Sequence, residues 1–296
     1  MPQLSIGLPV YNGERFLEEA LVSLLGQTFQ DFELIISDNA STDGTQEICR
    51  ETASKDSRIR YYRNDANLGA AWNYNHLFGL ARSPFFKWAS HDDVCAPTYL
   101  ERCLNPLKQD SSLVLCYPQT AIIDHTGERV RSYDDQFNLT SPNPFERLKQ
   151  FLFARTQGEC NAVFGLVRTS FLNRTALIGR FNGSDSVLLL SLLLMGKFLE
   201  IPEELFFRRD HPETSIRSNT RPEDLALWFD PSMRRAIVLP RWRLLTEYVR
   251  SIFHAELKPV YTAQCLILMG KWMWCTKSLF WEELTLASKN LISVSS

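Results

Sequence analysis

The first third of the chain alternates apolar, strand-like runs with segments whose apolar residues recur at helical spacing. The runs occupy residues 4–10, 32–37, 58–63 and 85–89. In the segment after the first run, Phe16, Leu17, Ala20, Leu21 and Leu24 follow the pattern of an amphipathic helix. Strands and helices that alternate in this way form parallel units. The sequence therefore predicts an α/β fold with a Rossmann-like, mostly parallel sheet flanked by helices.

Acidic residues follow two of the predicted strands. Asp38-Asn39 comes after the second strand, and Asp92-Asp93 comes after the fourth. Open α/β sheets bind ligands at the carboxyl ends of their strands, so these carboxylates are predicted to meet at one cleft. Mg²⁺ or Mn²⁺ is commonly held by one or two carboxylates together with substrate phosphates, which makes Asp92 and Asp93 candidate ligands. The alternatives are an Asx turn at Asp38 and a helix N-cap at the second pair.

Other residues at strand ends are candidate nucleotide contacts. Pro9 and Tyr11 end the first strand, where an aromatic ring can lie against a base or ribose, although a half-buried packing role is the alternative. Gly69 lies in a turn before a predicted helix, where the backbone can approach a phosphate closely. A glycine in a turn does not by itself require a ligand.

The second half of the chain holds a candidate base and a candidate cluster for the diphosphate. Asp185 precedes a strongly apolar helix, so burial and nearby positive charge can adjust its pKa for general-base work, with an N-cap as the alternative. Arg208, Arg209 and His211 end the last predicted strand. Arginine suits diphosphate recognition and neutral imidazole can ligate a metal, whereas solvated surface charge is the alternative.

Composition and charge exclude several classes of protein. The chain has 296 residues, 45% of them hydrophobic, a formal charge of −2 and a pI near 6.2, which argues against a nucleic-acid binder. Its seven cysteines lack the paired spacing of zinc sites and indicate free thiols in a reducing compartment. The residues before the first strand do not have the pattern of a secretory leader, so we do not expect secretion. We expect a cytoplasmic protein, with the inner face of the membrane as an alternative location.

The C-terminal part differs from the rest of the chain in its helical pattern and its excess of basic residues. Residues 221–296 read as two or three helices, and between Arg234 and Trp281 there are eight Lys or Arg against Glu247 and Glu256. The most apolar stretch, residues 261–281, contains two lysines and is predicted to pack rather than to span a bilayer. A basic, aromatic-rich surface of this kind suits peripheral contact with anionic lipids, an oligomer interface or plain packing.

The ordered motifs resemble family 2 glycosyltransferases with the GT-A fold. The resemblance lies in residues 5–14 and 27–45, in Asn67-Leu68-Gly69 and in Asp92-Asp93, and it is looser from residue 110 to His211. It implies that residues 1–110 form the nucleotide-sugar-binding half, residues 111–220 the acceptor half, and residues 221–296 a helical extension. The family's Asp-x-Asp-Asp motif reads Ser90-His91-Asp92-Asp93 here, so serine replaces its first acid.

The resemblance also implies roles for individual residues. Asp185 is predicted to be the catalytic base, and the metal is predicted to bind Asp92 first, then Asp93, with His211 completing the site. The predicted donor-binding residues are Pro9, Tyr11, Glu14, Asp38, Asn67, Gly69, Asp92, Asp93, Arg209 and His211.

The implied activity is inverting, metal-dependent sugar transfer. The donor is expected to be a UDP-sugar, with GDP or dTDP as alternatives, and the acceptor a hydroxyl of a glycan or lipid-linked molecule in surface or extracellular polysaccharide assembly. One alternative is an inactive nucleotide-sugar sensor or scaffold. Another is a sugar-1-phosphate nucleotidyltransferase, although Gly7-Leu8-Pro9-Val10 is not the glycine-rich loop that such an enzyme needs after its first strand.

Overall fold

One nine-stranded sheet organises the protein. The computed structural model describes residues 1–154, 160–219, 221–232 and 239–294. The strands are β1 (Leu4–Val10), β2 (Phe32–Asp38), β3 (Ile59–Arg63), β4 (Phe85–Trp88), β5 (Val94–Cys95), β6 (Leu113–Ile123), β7 (Arg129–Tyr133), β8 (Leu166–Arg168) and β9 (Lys197–Arg209). Their order is β3-β2-β1-β4-β8-β6-β9-β5, and β7 pairs with β6.

Most of these strands run in one direction. β3, β2, β1 and β4 pair in parallel, as do β6 and β9, while β8 runs antiparallel between β4 and β6. The predicted α/β class with a mostly parallel sheet is therefore confirmed. Because β1 to β4 are parallel neighbours, their carboxyl ends form one continuous edge.

Helices cover both faces of the sheet. They are α1 (Glu14–Leu25), α2 (Thr45–Lys55), α3 (Ala70–Leu80), α4 (Tyr99–Gln109), α5 (Pro144–Phe153), α6 (Thr169–Leu172), α7 (Ser184–Met195), α8 (Ser215–Ser218), α9 (Pro222–Phe229), α10 (Pro240–His254), α11 (Pro259–Cys275) and α12 (Lys277–Val294). Successive strand residues point to opposite faces. Phe85 accordingly joins the buried cluster with α1 and α4, and Phe86 joins the cluster with α5 and α7.

Three local elements differ from the sequence prediction. The local sequence pattern predicts separate strands at 113–117 and 121–123, but they form one strand, β6, which continues through a register irregularity at Pro118 and Gln119. The pattern also predicts a strand at 163–168, which instead begins as a 3-10 helix, Asn161–Phe164, before β8. Among its described residues, the C-terminal part contains four helices, α9 to α12, rather than two or three. The first two differences depend on pairing with distant strands, which local patterns do not encode.

The C-terminal helices pack on the same core as the sheet. α10 lies against α7, and α11 lies against both α5 and α10. Tyr248 and Ile252 of α10 and Leu268 and Met269 of α11 join the buried cluster that contains α7. Within the described ranges, we find no helix with the length and apolar character needed to cross a bilayer. The division into donor half, acceptor half and extension stays a prediction.

Candidate active site

Asp38, at the carboxyl end of β2, is fully buried and hydrogen-bonded through both oxygens. Oδ1 accepts from the Ser41 backbone N–H at 2.8 Å, which is the turn interaction expected of an Asp here. Oδ2 accepts from the Tyr61 hydroxyl at 2.9 Å and from Arg63 at 2.5 Å. Tyr61 and Arg63 lie on β3, and sequence reasoning missed them because only strand register brings them to Asp38.

The end of β1 is tied to the loop after β2. Glu14 accepts a hydrogen bond from the Gly44 backbone N–H at 2.6 Å, and its own N–H donates to Asp43 at 3.0 Å. Pro9 is buried within the strand, whereas Tyr11 is exposed beyond its end. The contacts of Glu14 therefore hold two neighbouring turns together, and the ring of Tyr11 is accessible at the edge of the sheet.

Asn39 joins the end of β2 to the turn before α3. Its Nδ2 donates to Asn67 Oδ1 at 2.8 Å, and its Oδ1 accepts from the Leu68 N–H at 3.0 Å. Gly69 has a φ of 85°, and a Cβ there would lie 2.5 Å from the Phe229 carbonyl oxygen. Gly69 is required both by its backbone conformation and by this close approach of the C-terminal part.

The acidic motif meets the end of β9 through strand pairing. β5 directly follows Asp93 and pairs antiparallel with β9, with Val94 opposite Phe207. This register places Asp92 Oδ2 3.1 Å from His211 Nε2, although the two residues are 119 positions apart in sequence. Asp93 Oδ1 instead accepts from the Arg209 backbone N–H at 2.9 Å. The structure thus brings two of the three predicted metal ligands together and turns the third towards β9.

The two adjacent acids have opposite electrostatic environments. Burial disfavours the charged form of Asp92, but the nearby charge of His91 and hydrogen bonds from His211 and Ser90 outweigh it, and its pKa lies well below the usual range. Burial and the neighbouring charge of Asp92 raise the pKa of Asp93. Asp92 is therefore the carboxylate held in the ionised, ligand-competent form.

The pair formed by Asp92 and His211 suits a divalent cation that also binds phosphate. Two neighbouring ligands of an octahedral ion lie about 3 Å apart when each is about 2.1 Å from the metal, close to the 3.1 Å between Oδ2 and Nε2. His211 Nδ1 is buried and has no hydrogen-bond partner among the described residues, and the Glu213 carboxylate lies 3.8 Å from it. In the described part of the chain, no three acidic, His or Cys side chains could hold a metal unaided. A metal bound to Asp92 and His211 would need its remaining ligands from substrate or water.

Arg209 is directed into the protein. Its guanidinium donates to the Asp92 carbonyl at 2.9 Å, to the Asp124 carbonyl at 3.2 Å and to the Glu19 carboxylate at 2.5 Å. The ring of Phe16 lies 4.7 Å from the guanidinium carbon. These contacts fix the backbone of Asp92, so the geometry favours a positioning role for Arg209 over the direct diphosphate contact that sequence alone suggested.

Replacing Arg209 with Met is expected to lower the free energy of unfolding by roughly 2–4 kcal/mol, because two partly buried carbonyl oxygens lose their donor. Urea unfolding measures this change, and Glu19→Gln serves as the control because Glu19 is half-exposed. If Arg209 acted mainly on the donor, the Met variant would keep wild-type stability and lose donor affinity alone.

Asp185 lies in the first turn of α7. Its Oδ1 accepts from the Ser186 backbone N–H at 2.8 Å, whereas Oδ2 accepts no hydrogen bond from the described residues. Burial raises its pKa, against the opposing effects of the Ser186 N–H and the positive charge of Arg208. One oxygen thus stabilises the helix end, and the other remains available to take a proton.

Tyr74 and Arg208 reveal that the separate acids share one neighbourhood. Burial raises the pKa of Tyr74, and the negative charges of Asp92, Asp93 and Asp185 raise it further. Charges act in this way over roughly 10 Å or less. Arg208 in turn lowers the pKa of both Asp93 and Asp185. The acidic motif and Asp185 therefore lie close enough for their charges to act on the same neighbouring groups.

Hydrogen bonds connect α3 both to the end of β4 and to the segment ahead of α7. The Trp88 indole, at the end of β4, donates to the Tyr74 carbonyl at 3.0 Å. One residue later, Asn75 exchanges two hydrogen bonds with the Ile178 backbone, of 2.8 and 3.0 Å, ahead of α7. Sequence reasoning missed Tyr74. The only signal for a role in the site was its position as an aromatic residue on the helix that follows the Asn67-Leu68-Gly69 turn.

Comparisons with known proteins agree with this architecture. A model described as glycosyl transferase family 2 matches residues 5–177. An uncharacterized glycosyltransferase of Haemophilus influenzae is 34% identical over 131 residues, which are 44% of this chain and 52% of that protein. The GalNAc(5)-diNAcBac-PP-undecaprenol beta-1,3-glucosyltransferase of Campylobacter jejuni is 26% identical over 193 residues, covering 65% of this chain and 60% of that protein. The chain thus spans about half to three fifths of the length of these two relatives.

Solved structures share the fold. S. aureus TarS 1-349 in complex with UDP-GlcNAc matches 92% of this chain and 73% of that chain with a TM-score of 0.67 at 16% identity. The mannosyltransferase PcManGT of Pyrobaculum calidifontis, in complex with GDP-Man and Mn²⁺, matches 98% of this chain and 87% of that chain with a TM-score of 0.53 at 15% identity. Since the family model covers more than half of the sequence, the protein belongs to glycosyl transferase family 2, with a GT-A fold.

Proposed function

We propose that the protein is an inverting, metal-dependent glycosyltransferase that moves a hexose-type sugar from a nucleoside diphosphate to a hydroxyl of a glycan or lipid-linked acceptor. The observation that carries the proposal is that Asp92 lies 3.1 Å from His211, while the charges of Asp92, Asp93 and Asp185 all raise the pKa of Tyr74. A metal-binding carboxylate and a free carboxylate in one cleft are the two groups that such a transfer needs. Assembly of surface or extracellular polysaccharide is the proposed setting.

The donor nucleoside is proposed to bind at the carboxyl ends of β1 and β2. The accessible ring of Tyr11 and the buried Asp38, held by Arg63 and Tyr61, support this assignment. A UDP-sugar is the first candidate, since UDP-GlcNAc is bound by the structural relative TarS, and GDP-sugars are the second because PcManGT binds GDP-Man. Pro9, Glu14, Asn67 and Gly69 shape the two turns around this position.

A divalent metal, Mn²⁺ or Mg²⁺, is proposed to be held by Asp92 and His211 together with donor phosphates. When bound, the ion neutralises charge on the diphosphate as it leaves. Arg209 holds the Asp92 backbone in place, and Asp93 holds the backbone of Arg209. The positive charge of Arg208, which lowers the pKa of both Asp93 and Asp185, supports a diphosphate site near these acids.

Asp185 is proposed to act as the general base. Its free Oδ2 takes the proton of the acceptor hydroxyl while the hydroxyl oxygen forms a bond to the anomeric carbon. The bond from that carbon to the diphosphate oxygen breaks, and the electron pair leaves with the diphosphate. Attack from the opposite face inverts the configuration, and the raised pKa of Asp185 brings the base closer to the operating pH.

A donor screen tests the proposal. In a thermal-shift panel of UDP-, GDP- and dTDP-sugars with Mn²⁺, the matching donor at about one hundred times its Kd is expected to raise the Tm by roughly 5 °C. Chelation of the metal with EDTA is expected to remove the shift. The matching donor is then assayed for transfer to lipid-linked and free glycan acceptors.

Other functions give different results in the same screen. Metal-dependent binding without transfer or hydrolysis across the acceptor panel would support a sensor or scaffold. Release of pyrophosphate from a nucleoside triphosphate and a sugar-1-phosphate would support a nucleotidyltransferase. Donor binding that survives EDTA unchanged would contradict the proposed metal dependence.

A further inference from the structure

Helix α11 is apolar on two opposite sides. Cys265, Leu268 and Met269 are buried against the rest of the protein. Val260, Ile267 and Trp274, which recur every seven residues and therefore share the other side of the helix, are 57%, 62% and 69% exposed. A helix that is hydrophobic all round is normally covered all round. Here one side is covered by α5 and α10, and the other faces solvent.

α12 adds a second exposed indole. Trp281 is 68% exposed, and the Lys277 ammonium lies 4.0 Å from the centre of the Trp274 ring. A cation beside an exposed indole is the combination found where proteins meet the headgroup layer of a membrane. We call Val260, Ile267, Trp274 and Trp281 the α11–α12 stripe.

The charged residues of the segment that carries the stripe, up to Trp281, are all basic. Residues 257–281 contain Lys258, Lys271 and Lys277 and no acidic residue. The next acids along the chain are Glu282 and Glu283, and Glu283 accepts from the Arg241 backbone N–H at the start of α10. Of the eight basic residues noted between Arg234 and Trp281, Arg234 and Arg235 lie outside the described residues.

This charge pattern selects one occupant for the stripe. In a symmetric pair of chains the same surface would face itself, so the three lysines of each copy would meet without acidic partners. Anionic phospholipid headgroups neutralise lysines, while the hydrocarbon boundary accepts the indole and aliphatic side chains. We infer that the α11–α12 stripe docks the protein on the surface of an anionic lipid bilayer.

The position of the stripe fits an enzyme that acts near a membrane. α10 separates α11 from α7, the helix that carries Asp185, so the docking surface lies one helix layer from the candidate base. The inference nevertheless rests on exposure and charge alone and does not depend on the proposed function. The test below measures lipid binding and not sugar transfer. Lipid binding can therefore be absent from an active transferase, and it can be present in a protein that transfers no sugar.

The test is sedimentation of the full chain with vesicles of phosphatidylcholine alone and of phosphatidylcholine containing about one third phosphatidylglycerol. We expect sedimentation with the anionic vesicles only. The double variant Ile267→Ser, Trp274→Ser is expected to lower the partition coefficient by at least about 10-fold, because it removes the apolar anchor. Lys271→Gln with Lys277→Gln is expected to lower it by about 10-fold or more on anionic vesicles.

Val22→Ser is the matched control, because Val22 is 67% exposed on α1, away from the stripe. It is expected to sediment as the wild type does. Thermal unfolding of each variant at the wild-type temperature establishes that the fold is intact. Absence of wild-type sedimentation with anionic vesicles, or equal loss in Val22→Ser, would overturn the inference. A dimer in light scattering that the Ile267→Ser, Trp274→Ser variant abolishes would assign the stripe to a second copy instead.

Discussion

Replacing Asp185 with Asn is expected to slow sugar transfer by about 10²–10⁴-fold while leaving donor affinity unchanged. The amide keeps the size of the carboxylate, and its oxygen can still accept the Ser186 N–H that Asp185 now accepts at 2.8 Å. It cannot take a proton from the acceptor hydroxyl. Initial rates of transfer measure the loss, and isothermal titration with the donor measures the affinity.

A carboxylate-to-amide replacement at another helix N-terminus provides the control for Asp185→Asn. Glu47 is an exposed carboxylate in the first turn of α2, so Glu47→Gln repeats the removal of a helix N-terminal charge away from the cleft. We expect it to keep wild-type turnover. The wild-type rate should also fall as the pH decreases through the raised pKa of Asp185, because the base works only when ionised. Wild-type turnover in Asp185→Asn would remove Asp185 from the mechanism.

Replacing Asp92 with Asn is expected to reduce transfer by about 10²–10³-fold and to weaken metal-dependent donor binding as well. An amide is a neutral and much poorer ligand than the carboxylate, which the surroundings hold in its ionised form. The two variants should therefore behave differently. Asp185→Asn is expected to lose transfer rate alone, whereas Asp92→Asn is expected to lose metal-dependent donor affinity as well. Donor titrations with and without Mn²⁺ distinguish these outcomes.

Asp93→Asn is the matched control for Asp92→Asn. Asp93 accepts a backbone N–H from Arg209, and an asparagine oxygen can accept the same bond. We expect a smaller loss of metal-dependent donor affinity than in Asp92→Asn. An equal loss in both variants would contradict the arrangement in which Asp92 and His211, rather than the two adjacent acids, hold the ion.

The sequence alone was sufficient to predict the first half of the sheet. Apolar strands and helices alternate at regular lengths there, and the carboxyl ends of parallel neighbours must lie side by side. The acids that follow such strands, Asp38 and Asp92, could be assigned to the sheet edge without a structure. Their positions depend on local order and strand direction, which periodicity reveals.

The contacts of those acids could not be predicted, because they depend on register between distant segments. The pairing of β5 with β9 sets His211 beside Asp92 and directs Arg209 into the protein, and nothing in the local pattern distinguishes Arg208 from Arg209. The same is true of Arg63 beside Asp38. In each case a one-residue shift would turn the side chain to the opposite face of the sheet.

The C-terminal part illustrates the limit of composition as a guide. Its apolar content fits both buried packing and an exposed docking surface, and both occur on α11. Leu268 and Met269 are buried, whereas Ile267 and Trp274 are exposed. Only the packing of α11 against α5 and α10 decides which side of the helix is covered.

Mn²⁺ binding in the presence of UDP, followed by electron paramagnetic resonance, tests most directly whether Asp92 holds the ion and Asp185 does not. We predict equal Mn²⁺ affinity in the wild type and Asp185→Asn, and an affinity at least about 10²-fold weaker in Asp92→Asn. Wild-type Mn²⁺ affinity in Asp92→Asn would contradict this account of the cleft.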